Sequence, residues 1–314
     1  MTNAQALPVT QRGWNSWKHL DPSRAIPIGL MHLACLAAPF LFTWEGVVVA
    51  LVLWWLCGGI GICLCYHRLL THRSFKCPKW FEYLITIIAT TNWQGGPIEW
   101  VGTHRIHHRH SDHDEDPHSP KHGFNWAHAL WCVTKHEGQY DPASAAKDLA
   151  RDPGMALIDR YHYLAQFVLA AILFVIGGLQ WGQGWSWMNG LTWVVWGICV
   201  RMVFTYHATW FVNSAAHTWG YRSHQTKDDS RNLWWVALLS FGEGWHNNHH
   251  ACDRAAAHGR RWWELDLTYL TIRALAVVGL AWAIVPATES KRAPRVDGDA
   301  ALVDATPEHA DKAA

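Results

Sequence analysis

Charge is scarce in this chain. Of its 314 residues only 16% are Asp, Glu, Lys or Arg, and 26 basic against 25 acidic side chains leave a net charge of +1. That balance excludes the basic field a nucleic-acid partner requires. Paired cysteines are missing too. The eight present form no C-x-x-C and no framework of the secreted kind, so they read as reduced, mostly structural thiols, Cys63 and Cys65 included. Residues 1–24 lack a basic-then-apolar layout; with Pro8, Arg12 and Asp21-Pro22 they read as a polar lead, and the first apolar segment is expected to direct insertion. Lys and Arg are also absent from two short stretches, 43–46 and 180–190.

Aromatic and imidazole rings fill the gap, with 23 Trp and 22 His. Abundant Trp suits a membrane–water boundary, where one ring edge stays wet. A mean hydropathy near zero hides distinct apolar blocks. Residues 26–44, 46–66, 164–179 and 191–212 are each close to the roughly 20 helical residues that a bilayer core needs. They predict four spans. Residues 80–91 are apolar but short, as in a helix at the interface or capping a core. Residues 265–285, with Asp266 and Arg273, read as a partly amphipathic helix, a fifth span being the alternative. Residues 286–314 read as a disordered tail. Arg201, inside the fourth span, is costly at mid-bilayer and should snorkel or face protein. Since the turns 43–46 and 180–190 carry no Lys or Arg while the His-bearing regions carry many, the positive-inside rule puts the His-bearing regions and both termini in the cytosol.

The histidines are patterned. His104, His107 and His108 stand at i, i+3 and i+4, one face of a helix, and His246, His249 and His250 repeat the spacing. His67 and His72 follow the second apolar block, and His217 ends the fourth, one turn after Asn213. Neutral imidazole ligates Fe, Zn, Cu or Ni, and nine rings exceed what one ion can hold, so two metals with four or five nitrogens each is the economical reading. His67 and His72 lie about 140° apart on a regular helix, so sharing an ion requires the helix to end or distort there. His110, His113, His118, His122, His128 and His136 read as solvated or hydrogen-bonded surface. Glu243, Asp112 and Asp116 are candidates for orienting the imidazoles.

The set H-R-L-L-T-H, H-R-I-H-H, N-S-A-A-H and H-N-N-H-H resembles the integral-membrane fatty-acyl desaturases of the delta-9, stearoyl-CoA desaturase-like type. The stretches N-W-Q-G-G-P-I-E-W-V-G-T-H, D-E-D-P-H and K-D-L-A-R-D-P are similar to bacterial and cyanobacterial acyl-lipid members. The resemblance covers 25–285 and implies an all-α fold, a four-span bundle under a cytosolic helical cap holding two irons. One iron would take His67, His72, His104, His108 and His250; the other His107, His217, His246 and His249, with Asn213 through a water. An acyl tunnel would kink at Gln94, Trp100, Thr209 and Trp210, with Trp55 and Gly59 flooring it. The activity implied is O2-dependent insertion of a cis double bond into a saturated acyl chain, because an unactivated methylene needs an oxidant no side chain can supply. Glycines at 95, 96 and 102, where acyl-CoA members carry polar or charged groups, favour a lipid-borne chain, with acyl-CoA or acyl carrier protein the alternatives. Without a heme-binding extension, electrons should come from a separate cytochrome b5, ferredoxin or rubredoxin. The expected location is a bacterial inner membrane, or the endoplasmic reticulum in a eukaryote.

Two rival classes remain at this stage. Lipid hydroxylases and alkane monooxygenases use similar boxes; N-S-A-A-H and Q-G-G-P-I-E-W weigh toward desaturation. A metal or heme protein of the membrane would carry His inside its spans, whereas here only His32 lies clearly within one.

Overall fold

A computed structural model describes residues 19–135, 140–180 and 184–287. Most of the expected lead and tail, 1–18 and 288–314, lies outside those residues, as does His136. The described residues are mostly helical, and their one named strand pairing is a two-residue hairpin, Leu179–Gln180 with Gly184–Trp185.

Among the described residues, three helical rods are long and apolar enough to cross a membrane. The first is α1 (Pro22–Ala34), continued by a 3-10 stretch, Cys35–Leu41. Asp21 caps it, accepting from the Ser23 N–H at 3.0 Å, as an N-cap side chain does for an orphan donor. The second is α2 (Trp44–Leu53), capped by Thr43 and running on as a π-helix, Trp54–Thr71. Together they make 28 residues. After α3 (Lys79–Thr90), α4 (Pro97–His110) and the short α5 (Phe124–His128), α6 (Pro142–Ala145) and α7 (Lys147–Ala150) come α8 (Pro153–Arg160) and α9 (Leu164–Gly178). The third rod follows: α10 (Trp187–Val194), a π turn over Val195–Val200, and α11 (Arg201–Asn213). Three shorter helices close the order, α12 (Trp234–Leu239), α13 (His246–Ala251) and α14 (Leu267–Val277).

One expectation changes here, and one alternative falls away. The block at 164–179 is not an independent rod: α9 has 15 residues and meets α8 at a bend of 64°, because the Tyr161–Tyr163 break interrupts the backbone ladder. The block at 265–285 gives an 11-residue helix, about 16 Å long and half of what a hydrocarbon core requires. As a fifth span it is too short.

The outer faces are apolar. Leu33, Leu36 and Phe40 on the first rod and Phe167 and Val168 on α9 are all more than half exposed, a distribution that suits lipid rather than water. Inward, Leu64, Tyr66, Leu69 and Leu70 pack with Ile85, Ala89 and Val101. A second cluster joins Leu53, Cys57, Met202, Tyr206 and Trp210. The second rod and α3 approach closely because Gly61 has no side chain; a Cβ there would stand 2.7 Å from the Ala89 Cα. Gly61→Ala should therefore destabilise the protein by about 1–3 kcal/mol through overpacking, read as a lower thermal midpoint of the detergent-solubilised chain.

Arg201 faces protein, as a mid-span cation must. It is 1% exposed and lies among neutral oxygens of two other segments, residues 91–92 and α9.

Candidate metal centre and substrate cavity

Both long rods deliver histidines at their ends. The second rod closes with His67 and His72. Its π winding forms i→i+5 bonds, and the His72 N–H donates to the His67 carbonyl at 3.2 Å. Residues five apart thereby share a face, and the two rings sit 4.8 Å centroid to centroid. The distortion required by the spacing is present. The third rod ends at His217, α4 carries His104, His107 and His108, and α13 carries His246, His249 and His250.

The nine imidazoles converge as two adjacent sets. His67, His72, His104, His108 and His249 form one; His107, His217, His246 and His250 form the other. This exchanges two residues of the expected grouping. His249 Nε2 lies 3.2 Å from His67 Nε2 and 3.0 Å from His108 Nε2, while His250 Nε2 lies 3.0 Å from His246 Nε2. Consecutive residues on α13 point about 100° apart, so neighbours along the chain turn to opposite sets. Asn213 stands at the cavity wall beside the centre.

Four carboxylates hold the outer ring nitrogens. His107 Nδ1 donates to Asp116 at 2.9 Å, His217 Nδ1 to Asp112 at 3.1 Å and His250 Nδ1 to Asp228 at 2.8 Å, while His67 Nδ1 lies 2.7 Å from Glu243 Oε2. Each such bond fixes the tautomer and leaves an Nε2 lone pair facing inward. Arg68 in turn grips Glu243 through Nε at 3.1 Å and NH2 at 2.9 Å. Burial works to raise the Glu243 pKa, but Arg68 with His258 and His67 overrides it and holds the carboxyl well below its usual range.

This arrangement fits bound metal. Burial first, then neighbouring imidazoles, pushes His72, His104, His107, His108, His246 and His249 well below the ordinary histidine pKa, so the rings are neutral and keep lone pairs. In the row His67–His249–His108–His104 the successive Nε2 contacts are 3.2, 3.0 and 3.1 Å. His249 Nε2 and His108 Nε2 each face two other ring nitrogens, and each has a single proton or lone pair to offer them. His72 Nε2 and His217 Nε2 are buried with no hydrogen-bond partner. Inward nitrogens in that state are what a cation resolves.

Some residues escaped the sequence reading. Asp228 sits in a polar loop with no spacing cue to His250. His258 is fully buried, with Nδ1 3.0 Å from Glu243 and its ring 4.4 Å from that of His249. His118 and His122, read as surface, are buried, and the His118 ring lies 4.3 Å from that of His107. Folding of the 111–122 loop beneath α4 produces this, and no local pattern announces it. His113 is exposed as expected.

A cavity of about 510 Å3 opens beside the centre. His104, Asn213, Thr209 and Trp210 wall its inner part, and Arg24, paired with Glu99, stands at its exposed end. Gln94 brackets it, donating through Nε2 to Thr209 Oγ1 at 3.2 Å and accepting from Trp100 Nε1 at 3.2 Å. The expected floor is elsewhere: Trp55 is 44% exposed and neither it nor Gly59 lines this cavity. Each π turn takes up an additional residue, so a face counted back from His67 at 3.6 residues per turn drifts off the inner side. The glycines beside the cavity answer to packing. A Cβ on Gly102 would lie 2.0 Å from the Pro142 carbonyl oxygen, and one on Gly96 2.2 Å from Asp159 Oδ1.

The fatty acid desaturase family model matches residues 42–282. The chain is 49% identical over 253 residues to the sn-1 stearoyl-lipid 9-desaturase of Anabaena variabilis, covering 80% of this chain and 89% of that protein. It is 47% identical to the Synechocystis enzyme of the same name, over 80% and 76% of the two chains. To the sn-2 palmitoyl-lipid 9-desaturase of Nostoc sp. (strain 36) it is 45% identical, over 82% and 87%. Histidine sets, cavity and sequence agreement lead to one assignment: the chain belongs to the fatty acid desaturase family and is an oxidoreductase acting on fatty acids.

Proposed function

We propose that this chain introduces a cis double bond at the delta-9 position of a saturated acyl chain carried on a membrane lipid. The observation that carries the reading is the pair of inward-facing imidazole sets beside a mainly apolar cavity. The names of the similar proteins, each a lipid 9-desaturase, support the substrate and the position.

Two irons fit the donor sets, one with His67, His72, His104, His108 and His249, the other with His107, His217, His246 and His250 and Asn213 through a water. Bound iron would supply, with O2, two electrons and two protons, the oxidant that removes a hydrogen from each of two adjacent methylenes, leaving an alkene and two waters. The chain's own residues do the rest. Glu243, Asp116, Asp112 and Asp228 orient rings whose Nε2 atoms face inward. Gln94 ties Trp100 to Thr209 across the cavity and so narrows the path of the acyl chain. Apolar walls and Trp100, stacked on His104 at 5.2 Å, keep water from the reacting carbons. Electrons come from a separate donor, a ferredoxin, cytochrome b5 or rubredoxin. The topology proposed is four spans, with the bent α8–α9 pair as the fourth and the centre and both termini cytosolic, in a bacterial inner membrane.

Expression in a host without its own desaturase tests this. Mass spectrometry of the lipid classes should find a new alkene at carbon 9 on intact lipids; hydroxylated chains, or no product with iron bound and a donor present, would refute it. Asp228→Asn in the same host should lower iron affinity by about 10- to 100-fold, the range for losing a carboxylate behind a ligating histidine, as measured by iron retention against a chelator.

A further inference from the structure

We propose that Arg201, buried in the third rod away from the cavity, is a positioning residue that sets where along the acyl chain the double bond forms. This rests on the desaturase reading above and goes beyond it. The observation is a set of hydrogen bonds joining Arg201 to the segment between α3 and α4. Its NH1 donates to the Thr91 carbonyl at 3.1 Å and to Asn92 Oδ1 at 3.0 Å. NH2 donates to Gln166 Oε1 at 3.3 Å, and Nε to the Gly197 carbonyl at 3.0 Å. One guanidinium thus links α9, the third rod and residues 91–92.

That segment forms part of the cavity wall. Trp93, Gln94 and Gly95 line it, and the Gln94 amide makes the bracket from Trp100 to Thr209. The backbone at Trp93 is strained, with φ 49°, and Gly95 takes φ 101°, which glycine adopts freely. A tryptophan in the left-handed region keeps that conformation only where its surroundings impose it. Besides Arg201 and the Gln94 bonds, the segment is held by the Trp93 Nε1 bond to the Tyr163 carbonyl at 3.2 Å, by the Asn92 amide bonds to the Cys57 and Ala89 carbonyls at 2.8 and 3.1 Å, and by the Tyr66 hydroxyl, which donates to the Gly95 carbonyl at 3.4 Å. Arg201 holds the start of the segment, so a change there reaches Gln94 without altering any residue of the cavity wall.

Stability alone does not account for an arginine here. All its acceptors are neutral, in a span where a cation is expensive, and well-packed apolar replacements of buried charges are often tolerated. A fork that fixes several acceptors at once is what arginine offers and lysine does not. Displacing the Gln94 bracket by a fraction of an ångström changes which methylenes stand opposite the centre, since adjacent carbons differ little except in place.

The test is expression of Arg201→Met, Arg201→Lys and Asn92→Ala in a desaturase-free host, with double-bond localisation normalised to the amount of protein. Arg201→Met should lower total alkene by roughly 10- to 100-fold and spread the residue of product over neighbouring positions. Arg201→Lys should fall between that and the parent. Asn92→Ala keeps the charge and removes the Asn92 side-chain bonds to Arg201 and to the Cys57 and Ala89 carbonyls, so it should show the same spread even if Arg201→Met does not accumulate. Less product at an unchanged position in the variants that accumulate would overturn the inference while leaving the desaturase reading intact. No alkene from the unchanged chain would overturn that reading, and the inference with it.

Discussion

His249→Ala should abolish desaturation, lowering activity by more than about 100-fold, and should release about one of the two irons proposed above. The residue is fully buried, and its Nε2 stands in the middle of a row, 3.2 Å from His67 Nε2 and 3.0 Å from His108 Nε2. Pairwise substitution tests the grouping itself, because ligands of one ion act as a unit. His249→Ala with His72→Ala should retain about one iron per chain, and His249→Ala with His246→Ala about none. The reverse outcome, measured by iron analysis of purified protein, would return His249 to the other ion.

The second large effect is on folding. Arg68 is fully buried, bonded to Glu243 through Nε and NH2, to Asp266 through NH1 at 3.0 Å, and to the Ala256 carbonyl at 2.6 Å. Arg68→Met leaves two carboxylates buried without their cation. Breaking such a network from one side costs about 3–5 kcal/mol, a fall in the thermal midpoint on the order of 10 °C. Arg68→Lys should recover only part, since an ammonium cannot make the forked contacts. An unchanged midpoint for Arg68→Met would show that the Asp266 and Glu243 carboxylates find other partners. Iron retention should also fall, because Glu243 Oε2 lies 2.7 Å from His67 Nδ1.

How much of this was open to sequence reading depends on distance along the chain. His104, His107 and His108 lie within one helix turn, so the helical repeat alone puts them on one face. The spacing of His67 and His72 announced a distortion without naming it, and the π winding turned out to be the form it takes. The same winding undid the expected floor at Trp55 and Gly59, because positions counted at the α-helical repeat do not keep their face along it. Asp228 behind His250, and His258 beside Glu243, were invisible for another reason: their partners are made by chain folding over separations that leave no periodic mark.

The sequence by itself determined the helical rods, the histidine boxes at their ends and the chemistry such a donor set can hold, because periodicity, apolar length and ligand type are local properties. Tertiary structure alone decided which imidazole joins which set, which carboxylate stands behind each ring, and where the cavity runs. Those depend on the rotation of each helix against its neighbours, and packing fixes that rotation only when all the segments are in place.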